Sequence, residues 1–359
     1  MRRRGRSRED RGSEVAQERG AAPEGADTGG PGLPVDRERA RLTGMAHRVL
    51  GTVAEAEDAV QEAYLRWYRL DVTERGRVVN PAAWLTRVTG RICLDHLNSA
   101  RVRRERYVGP WLPEPVPEGT FPGVGDGSVR PVAMAPAADS PSERAVANEQ
   151  VGTALLVVME SMTPAERVVF VMHDVFAVPF AEIARAVDRT PAATRQLARS
   201  ARGRPGSGRR TPADRAEYAR VVAAFGAACR DGDLARLVAL LDPAAVLRSD
   251  GGGVVRAARR PVSGALAAGR FLVGVLAKNP TLRLEPVATA DGPGHLLVAD
   301  GTTVGVLTLG VHRERVTDVW IQQNPAKLTR WPRTRAVPDA ARPSDPGPAA
   351  SRGRHRDRP

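Results

Sequence analysis

The chain has 359 residues, more than one ordinary domain contains, and its 42% hydrophobic and 26% charged residues exclude a globally disordered protein. No stretch approaches the roughly 20 consecutive apolar residues of a membrane-spanning helix, and the apolar segment of a secretory signal does not follow the arginine-rich start. The formal net charge of +13 indicates a polyanionic partner, provided that the charge is concentrated locally.

The positive charge is concentrated in one part of the chain. Of the 54 basic residues only Lys278 and Lys327 are lysines, so a codon bias toward arginine accounts for much of the total. Residues 1–36 carry seven arginines and seven acids and are neutral, whereas residues 185–210 carry eight arginines and one acid. The local excess at residues 185–210 therefore says more about function than the overall charge does.

The two cysteines predict a reducing environment. Cys93 and Cys229 lie far apart, each within an apolar helical pattern. This arrangement argues against a disulfide scaffold or a zinc site and favours a reducing compartment, so we expect a cytoplasmic protein. Since no stretch is long and apolar enough to span a bilayer, no membrane partner is expected.

The first predicted structured unit is helical and spans about residues 37–107. Residues 1–36, rich in Gly, Pro, Arg and Glu, are predicted to be a disordered tail. Within the unit, Val60, Ala63 and Trp67 form an apolar stripe that we expect to be buried. The same helix has a second face of acidic, amide and apolar side chains: Asp58, Gln61, Glu62 and Leu65. Such a face suits docking on a basic partner, although an acidic helix face is more often simply solvated.

A second long helix is predicted from Asn80-Pro81 to about Arg106, after a loop over 71–80. Its buried side is expected to contain Leu85, Val88 and Ile92. Other sides and the C-terminal end are basic, with Arg87, Arg91, Arg101, Arg103, Arg104 and Arg106. Trp84 lies near the loop, where an extruded base could be held, but a tryptophan at such a position is more often a core residue than a stacking platform.

A linker and a second helical unit follow. Residues 108–140 are too rich in Pro and Gly for regular structure and are predicted to be a linker. Helical periodicity resumes with the capping-box spacing of Ser140–Glu143 and continues over 141–205. Thr163-Pro164-Ala165-Glu166 also has the spacing of a helix start.

The end of this second unit predicts a helix-turn-helix. A short helix over Pro179–Val187 is followed by the turn Asp188-Arg189 and by Thr190-Pro191, which starts another helix. The apolar positions of that last helix, Ala193, Leu197 and Ala201, are expected to face the core. Its outer side carries Arg195, Arg199 and Arg202. Arginine binds phosphates and pairs bidentately with guanine, so we favour DNA binding over a merely solvated basic helix.

The third predicted unit is a small α+β domain over 212–331, followed by a second disordered tail over 332–359. Two helices, about 213–229 and 233–241, precede short β-type segments such as Thr302–Leu309 and Val316–Ile321.

These motifs together resemble regions 2 and 4 of a bacterial extracytoplasmic-function sigma factor of the sigma-70 family. The resemblance covers about residues 37–202 and is carried by Glu57-Asp58-Ala59-Val60-Gln61-Glu62, Trp84-Leu85, Asp95-His96-Leu97 and the later helix-turn-helix. The two motifs occur in the family's order, with a linker between them. The implied fold is multidomain: two all-α sigma domains, then an α+β cone domain.

The C-terminal extension resembles the subgroup that carries a fused SnoaL-like domain. The resemblance is carried by Trp111-Leu112-Pro113-Glu114-Pro115, Asp250-Gly251-Gly252-Gly253 and Asn324-Pro325-Ala326-Lys327-Leu328. The family usually has an acid in place of Ala326 and a lysine in place of Val254, so two charges are missing from the presumed contact between extension and core.

The resemblance implies a promoter-specificity subunit whose partners are core RNA polymerase and promoter DNA. The implied polymerase-binding residues are Asp58, Gln61, Glu62 and Leu65. The residues implied to read the −10 element are Asn80, Trp84, Arg87, Arg91, Arg101, Arg103 and Arg104. Those implied to read the −35 element are Arg189, Thr190, Thr194, Arg195, Arg199 and Arg202. Implied regulatory contacts of the extension are Asp250, Gly251, Gly252, Gly253, Asn324, Pro325, Lys327 and Leu328.

The alternative hypothesis is a DNA-binding module fused to a SnoaL-like enzyme or ligand sensor. Such an enzyme needs an acid or base inside an apolar cone, and the candidates are Asp250, His295, Asp300, His312 and Asp318. Asp250 and His295 are interpreted as turn residues beside glycines. We identify no catalytic triad, metal-ligand spacing or nucleotide-binding glycine loop, so neither a cofactor nor a metal is predicted. Binding of a small apolar ligand in the cone stays open.

Overall fold

The computed structural model describes residues 38–104, 107–121, 153–204 and 215–332, with the side chains of 100–104 and 154–155 left out. The tail predicted over 1–36, the capping box at Ser140–Glu143 and all but the first residue of the tail predicted over 332–359 lie outside the described residues.

Four helices form the first unit: α1 (Arg39–Leu50), α2 (Val53–Arg69), α3 (Val72–Arg77) and α4 (Pro81–Arg104). Gly51, in the left-handed region at φ 88°, ends α1, and the side chain of Thr52 then accepts a hydrogen bond from the backbone N–H of Glu55 to begin α2. The predicted stripe of Val60, Ala63 and Trp67 is confirmed as buried.

The second unit contains α5 (Thr153–Met159), α6 (Pro164–Phe170) with a π-helical turn (Val171–Val175), α7 (Phe180–Val187) and α8 (Pro191–Arg202). Thr163 and Glu166 form the predicted capping box at the start of α6. Thr190 caps α8 through the backbone N–H of Ala193. The tri-helical arrangement expected from the sequence is therefore present.

The two helical units share one hydrophobic core, because α7 packs on α4. Leu85 and Ile92 of the first unit and Met172 and Ile183 of the second belong to the same buried cluster. The junction is close: a methyl group on Gly90 would lie 2.6 Å from Sδ of Met172. Each such fully buried side chain contributes about 1.5–3 kcal/mol, so the contact holds the units together as one body.

The third unit is a six-stranded sheet with three helices. The helices are α9 (Arg215–Asp231), α10 (Leu234–Leu240) and α11 (Ala265–Lys278), and the strands are β1 (Leu241–Asp250), β2 (Val262–Ser263), β3 (Arg283–Thr289), β4 (Gly292–Ala299), β5 (Thr302–His312) and β6 (Arg315–Gln322). The strand order is β2-β1-β6-β5-β4-β3, in which β1 and β6 are parallel and the other pairs antiparallel. The α+β prediction is confirmed.

The inside of this third unit is filled by its own side chains. Phe225 of α9 and Leu237 of α10 are fully buried against Leu247, Leu307 and the rest of one apolar cluster. A smaller cluster, containing Leu296, Leu328 and Trp331, lies apart from it.

Residues 107–121 run between the first unit and the sheet and contain no helix. The backbone N–H of Glu114 donates to the carbonyl oxygen of Gly51, at 2.8 Å, while the carbonyl oxygen of Val116 accepts from the N–H of Ala290, at 2.9 Å. The start of the predicted linker is therefore pinned on both sides.

Candidate nucleic-acid and protein interfaces

The helix-turn-helix is held in shape by a buried carboxylate. Glu166 of α6 accepts hydrogen bonds from Ser200 of α8, at 2.5 Å, and from Arg204 just beyond it, at 2.8 Å. Asp188, between α7 and α8, is left-handed at φ 54°, a conformation that Asp tolerates. These contacts fix α8 relative to α6 and so fix which face of α8 points outward.

The outer face of α8 carries most of the residues predicted to read DNA. Arg189, Thr190, Arg195 and Arg199 are exposed. The Arg195 guanidinium lies 5.6 Å from the ring centroid of Phe180, which orients it, and Arg199 donates to the side-chain oxygen of Gln196 at 2.8 Å. Gln196 is also exposed and was not selected from the sequence, although glutamine can pair bidentately with adenine.

The prediction that Thr194 contacts DNA is wrong. Thr194 is fully buried, and its hydroxyl donates to the carbonyl oxygen of Thr190 at 3.0 Å. The helix is rotated from the expected orientation, so the fully buried stripe is Thr194, Ala198 and Ala201, with Ala193 and Leu197 at its edge.

Arg202 points outward but is held by the protein itself. Its Nε donates to Oδ2 of Asp174 at 2.9 Å, and a second guanidinium nitrogen donates to Oδ1 of the same carboxylate. Burial alone would raise the pKa of Asp174, but His173 and Arg202 outweigh burial and lower it. Arg202 therefore contributes less free positive charge to this face than Arg195.

The acidic face of α2 is exposed as expected. Asp58 and Gln61 are exposed, and Leu65 exposes 48% of its surface in the middle of the polar residues. Glu62 pairs with Arg66 at 2.5 Å. Tyr68, one turn beyond Leu65 and 47% exposed, extends the apolar part and was missed in the sequence because its neighbours Trp67 and Tyr64 are core residues.

The residues predicted to read the −10 element differ in exposure and in the contacts that they make within the protein. Asn80 caps α4, accepting from the N–H of Ala83 at 3.0 Å, and Trp84 packs edge-on against Trp67 with 5.3 Å between centroids. Arg91 is exposed, 3.5 Å from Asp95. Arg101, Arg103 and Arg104 lie in the last turn of α4, and their side chains are outside the described part of the chain.

Arg87 faces the second unit rather than solvent. Its guanidinium lies 3.8 Å from the carboxylate of Glu182 on α7. By contrast, Val79 in the loop before α4 is 99% exposed. Val79 lies in the loop between α3 and α4, both of which contain arginines, and it was not among the residues predicted to read the −10 element.

The three motifs of the extension converge on one buried ion pair. Nζ of Lys327 lies 2.8 Å from Oδ2 of Asp250, and both side chains are almost fully buried. The Tyr107 hydroxyl donates to Oδ1 of Asp250 at 2.5 Å, and the N–H of Leu112 donates to Oδ2 at 3.0 Å. Lys327 also lies 4.1 Å from the ring centroid of Trp111. We call Asp250, Lys327 and the groups bonded to them the Asp250 cluster.

Asp250 is thus more than the turn residue that we inferred from the glycines after it. Gly252 allows Asn324 to approach the Asp250 cluster closely. Its φ is 66°, and a methyl group at this position would lie 2.5 Å from Cγ of Asn324. Asn324 in turn donates to the Tyr107 hydroxyl at 2.9 Å. Val254 and Ala326 are both exposed, so the charges missing at these positions are not part of the buried contact.

A second junction joins all three units. Asp291, in the turn between β3 and β4, accepts from the N–H of Thr153 at 2.8 Å and from its hydroxyl at 2.6 Å. Burial raises the pKa of Asp291, while the bonds from Thr153 and the charge of Arg48 on α1 oppose that rise. Nearby, Arg330 donates to Glu57 of α2 at 2.6 Å, beside the acidic face.

Three of the candidate catalytic residues, Asp250, His295 and Asp318, are held by contacts within the protein. His295 lies within β4, not in a turn as inferred, and packs so tightly that a methyl group on Gly226 would be 2.1 Å from its Nε2. Burial, and secondarily Arg230, lowers the pKa of His295 to about 4. Asp318 pairs with Arg248 at 3.0 Å. Within the described ranges, no three His, Cys, Asp or Glu side chains are grouped to hold a metal ion, and no helix is long and apolar enough to cross a membrane.

Comparison with known proteins agrees with this geometry. The family models of sigma-70 region 2 and sigma-70 region 4 match residues 35–103 and 153–204. The ECF RNA polymerase sigma factor SigJ of Mycobacterium tuberculosis is 41% identical over 244 residues, which are 66% of this chain and 70% of the relative. The probable ECF RNA polymerase sigma factor SigI of the same species is 33% identical over 297 residues, 81% of this chain and 92% of the relative.

A solved structure covers the third unit as well. The crystal structure of M. tuberculosis extracytoplasmic function sigma factor SigJ matches with a TM-score of 0.63 at 33% identity. The match covers 83% of this chain and 98% of the other.

Proposed function

Because the chain belongs to the extracytoplasmic-function sigma factors, which serve in promoter-directed initiation of transcription, we propose a residue-level assignment of that activity and of its control. The partners are core RNA polymerase and promoter DNA, and the place of action is the bacterial cytoplasm. The main observation behind the proposal is the exposed face of α8, whose orientation is fixed by the contacts of Glu166.

We assign the −35 element to the outer face of α8. Arg195 and Arg199 project from the helix that a helix-turn-helix places in the major groove, and Gln196 lies between them. Arg189 and Thr190, at the N-terminal end of the helix, are placed for phosphate contacts. Thr194 is excluded from the assignment because it is buried.

The loop predicted over 71–80 is largely the helix α3, so the −10 element is assigned to α3, the short loop after it and α4. Asn80 and Trp84 lie at the start of α4, and Arg91 follows on its surface. Arg101, Arg103 and Arg104 are included because they belong to the last turn of the same helix. The polymerase is assigned to the face of α2 that contains Asp58, Gln61, Glu62 and Leu65.

The packed arrangement of the two helical units must open before both elements are read. Arg87 of α4 and Glu182 of α7 are 3.8 Å apart, so the two reading modules touch. The −35 and −10 elements are about 25 base pairs apart, which is about 85 Å along the duplex at 3.4 Å per base pair. We infer that binding to the polymerase separates the units and frees Arg87.

The third unit regulates this opening in our proposal. The Asp250 cluster holds the linker, Asp291 holds the start of α5, and Arg330 lies on Glu57 beside the polymerase-binding face. The filled interior and the tight packing of His295 support regulation rather than catalysis.

The function is tested by run-off transcription with core polymerase and the full chain on genomic promoter fragments. A product that depends on the chain and begins at a defined site is expected. If the chain binds core polymerase but directs it to no promoter, the assignment is refuted.

Replacing Arg195 by Ala should weaken binding to the −35 element by about 1–3 kcal/mol if the side chain contacts a base. The measurement is the affinity of the holoenzyme for promoter duplexes that differ at single −35 positions. A base contact predicts relaxed discrimination at one position, whereas a uniform loss indicates a phosphate contact. The control is Thr194→Ser, which keeps the buried hydroxyl and should leave DNA affinity unchanged.

Replacing Asp291 by Ala should loosen the start of α5, because the backbone N–H of Thr153 loses its acceptor. Loss of such a cap costs about 0.5–2 kcal/mol. Hydrogen exchange at 153–159 should accelerate correspondingly. Asp233→Ala, which removes the cap of α10 inside the third unit, serves as the control and should leave exchange at 153–159 unchanged.

A further inference from the structure

The ring of Phe180, the first residue of α7, is held between a histidine and an arginine. The imidazole of His173 stacks on this ring, with 3.9 Å between the ring centroids and 16° between the planes. The guanidinium of Arg195 lies over the same ring, 5.6 Å from its centroid. Because the imidazole covers one face of the ring closely, the other face is left for the guanidinium. Phe180 therefore links α8 to the π-helical turn that precedes α7.

The imidazole of His173 is fixed in turn by Asp174. Nδ1 of His173 donates to Oδ1 of Asp174 at 2.7 Å, since a carboxylate only accepts. The same carboxylate accepts from Arg202 at the end of α8. The side chains of His173 and Asp174 are only 16% and 17% exposed. A histidine whose other nitrogen is bonded in this way keeps its ring orientation, so the imidazole stays stacked on Phe180.

The backbone before α7 is unusual at the point that brings the two rings together. Val171–Val175 form a π-helical turn, a structure that occurs mostly as a single turn and often at functional sites. Ala177 follows with φ 53°, in the left-handed region that an alanine adopts only at a cost. The N–H of Val178 donates to the carbonyl oxygen of Met172 at 2.8 Å and closes this segment. The surrounding contacts thus maintain a strained connection, and its result is that the rings meet.

Arg195 has few other contacts to hold it. It is exposed, and no hydrogen bond or ion pair joins it to another side chain of the described residues. By contrast, Arg199 bonds to Gln196, and Arg202 is ion-paired. A long side chain that becomes ordered only on binding loses rotamer freedom at that moment, which lowers affinity, whereas a side chain ordered beforehand avoids this loss. Within the described part of the chain, the ring of Phe180 supplies that order.

We propose that Phe180 is a positioning residue for promoter recognition: its ring, braced by His173, holds the guanidinium of Arg195 toward a base edge of the −35 element. Phe180 does not touch a base and acts through Arg195. This role deepens the function proposed above and rests on the assignment of Arg195 to that element. Removal of the ring should therefore change discrimination at one base pair, which a loss of packing alone would not do.

The first test measures the affinity of the holoenzyme for promoter duplexes that differ at single −35 positions. Phe180→Leu should lower affinity for the preferred duplex by about two- to fivefold, the size of an exposed cation–π contact. It should also relax discrimination at the position that Arg195→Ala relaxes. Phe180→Tyr or Phe180→Trp, which keep an aromatic ring, should restore both. Wild-type discrimination in Phe180→Leu, or restoration by neither aromatic variant, would overturn the proposal.

The second test adds Phe180→Leu to Arg195→Ala. If the ring acts through the guanidinium, the second substitution costs no further DNA affinity once Arg195 is gone. An equal loss in both backgrounds would instead mark a structural role and refute positioning. The control is Leu197→Ala, which removes a half-buried side chain from α8. It should lower Tm without changing discrimination at the position that Arg195 reads.

The levels of failure are separated by the wild-type chain and by Arg195→Ala alone. A wild-type holoenzyme that selects no promoter would refute the proposed function itself. If Arg195→Ala changes the affinity for all duplexes by one factor, or for none, Arg195 reads no base and the role of Phe180 falls with it. If Arg195→Ala relaxes discrimination at one position and Phe180→Leu does not, only the positioning by Phe180 is wrong.

Discussion

Lys327→Met is expected to destabilise the docking of the third unit by about 3–5 kcal/mol, the largest single effect that we predict for stability. The substitution keeps the length of the side chain but leaves the Asp250 carboxylate buried without its counter-charge. Urea unfolding of the full chain measures the loss. Faster hydrogen exchange at 107–116 would localise it to the linker.

Two comparisons make this prediction sharp. Arg248→Met breaks the pair with Asp318, which is within the third unit and partly exposed, and should cost about 1 kcal/mol or less. Adding Asp250→Asn to Lys327→Met removes the unpaired charge and should restore part of the stability. A Lys327→Met variant no less stable than Arg248→Met would contradict the importance of the buried pair.

The same cluster predicts the direction of a pH effect. Burial by itself raises the pKa of Asp250, but Lys327, the Tyr107 hydroxyl and the N–H of Leu112 outweigh it and hold the pKa below its ordinary value of 3.8. A carboxyl with a lowered pKa stabilises the folded state above its unfolded pKa, and this contribution disappears as the pH falls through the folded value. The difference in stability between wild type and the double variant should therefore be constant near neutral pH and shrink below about pH 4.

Replacing Asp58 and Leu65 together by Ala should reduce affinity for core polymerase by about 30-fold or more, corresponding to ~2 kcal/mol. Leu65 is the exposed apolar residue of the face, and truncating a side chain that becomes buried at an interface has the greatest effect. Asp58 contributes charge, so its single substitution should act more weakly and mainly at low salt.

The control for this variant is Leu266→Ala with Asp231→Ala, two exposed residues of the third unit with the same chemistry. Affinity measured by titration of labelled core polymerase should fall for the first pair alone. Unchanged affinity with an intact fold would remove α2 from the assignment.

Local features of the fold could be predicted because they depend on neighbours in sequence. Thr163 and Thr190 begin helices in the structure as their spacing indicated, since a cap needs only the next three residues. Thr194 shows the limit of this reasoning. The choice between a stripe through Ala193 and one through Thr194 is a rotation of about 100°, and packing on α6 decides it rather than periodicity.

Contacts between distant parts of the chain could not be derived in the same way. Lys327 and Asp250 are 77 positions apart, and nothing in either neighbourhood states that they pair. The motif resemblance marked both residues, but only as parts of presumed contacts. Likewise, Arg87 and Glu182 belong to units that were expected to be separate, so their ion pair had no signal in the sequence.

The long separations within the Asp250 cluster also bear on synthesis. Tyr107 bonds to Asn324, 217 residues later. At about 5–20 residues per second, a ribosome needs about 10–40 s to make that stretch, while domains fold as they emerge. Both helical units are therefore complete before the contacts that hold the linker exist. Under the regulation proposed above, polymerase would meet the helical units of each new chain without restraint during this interval.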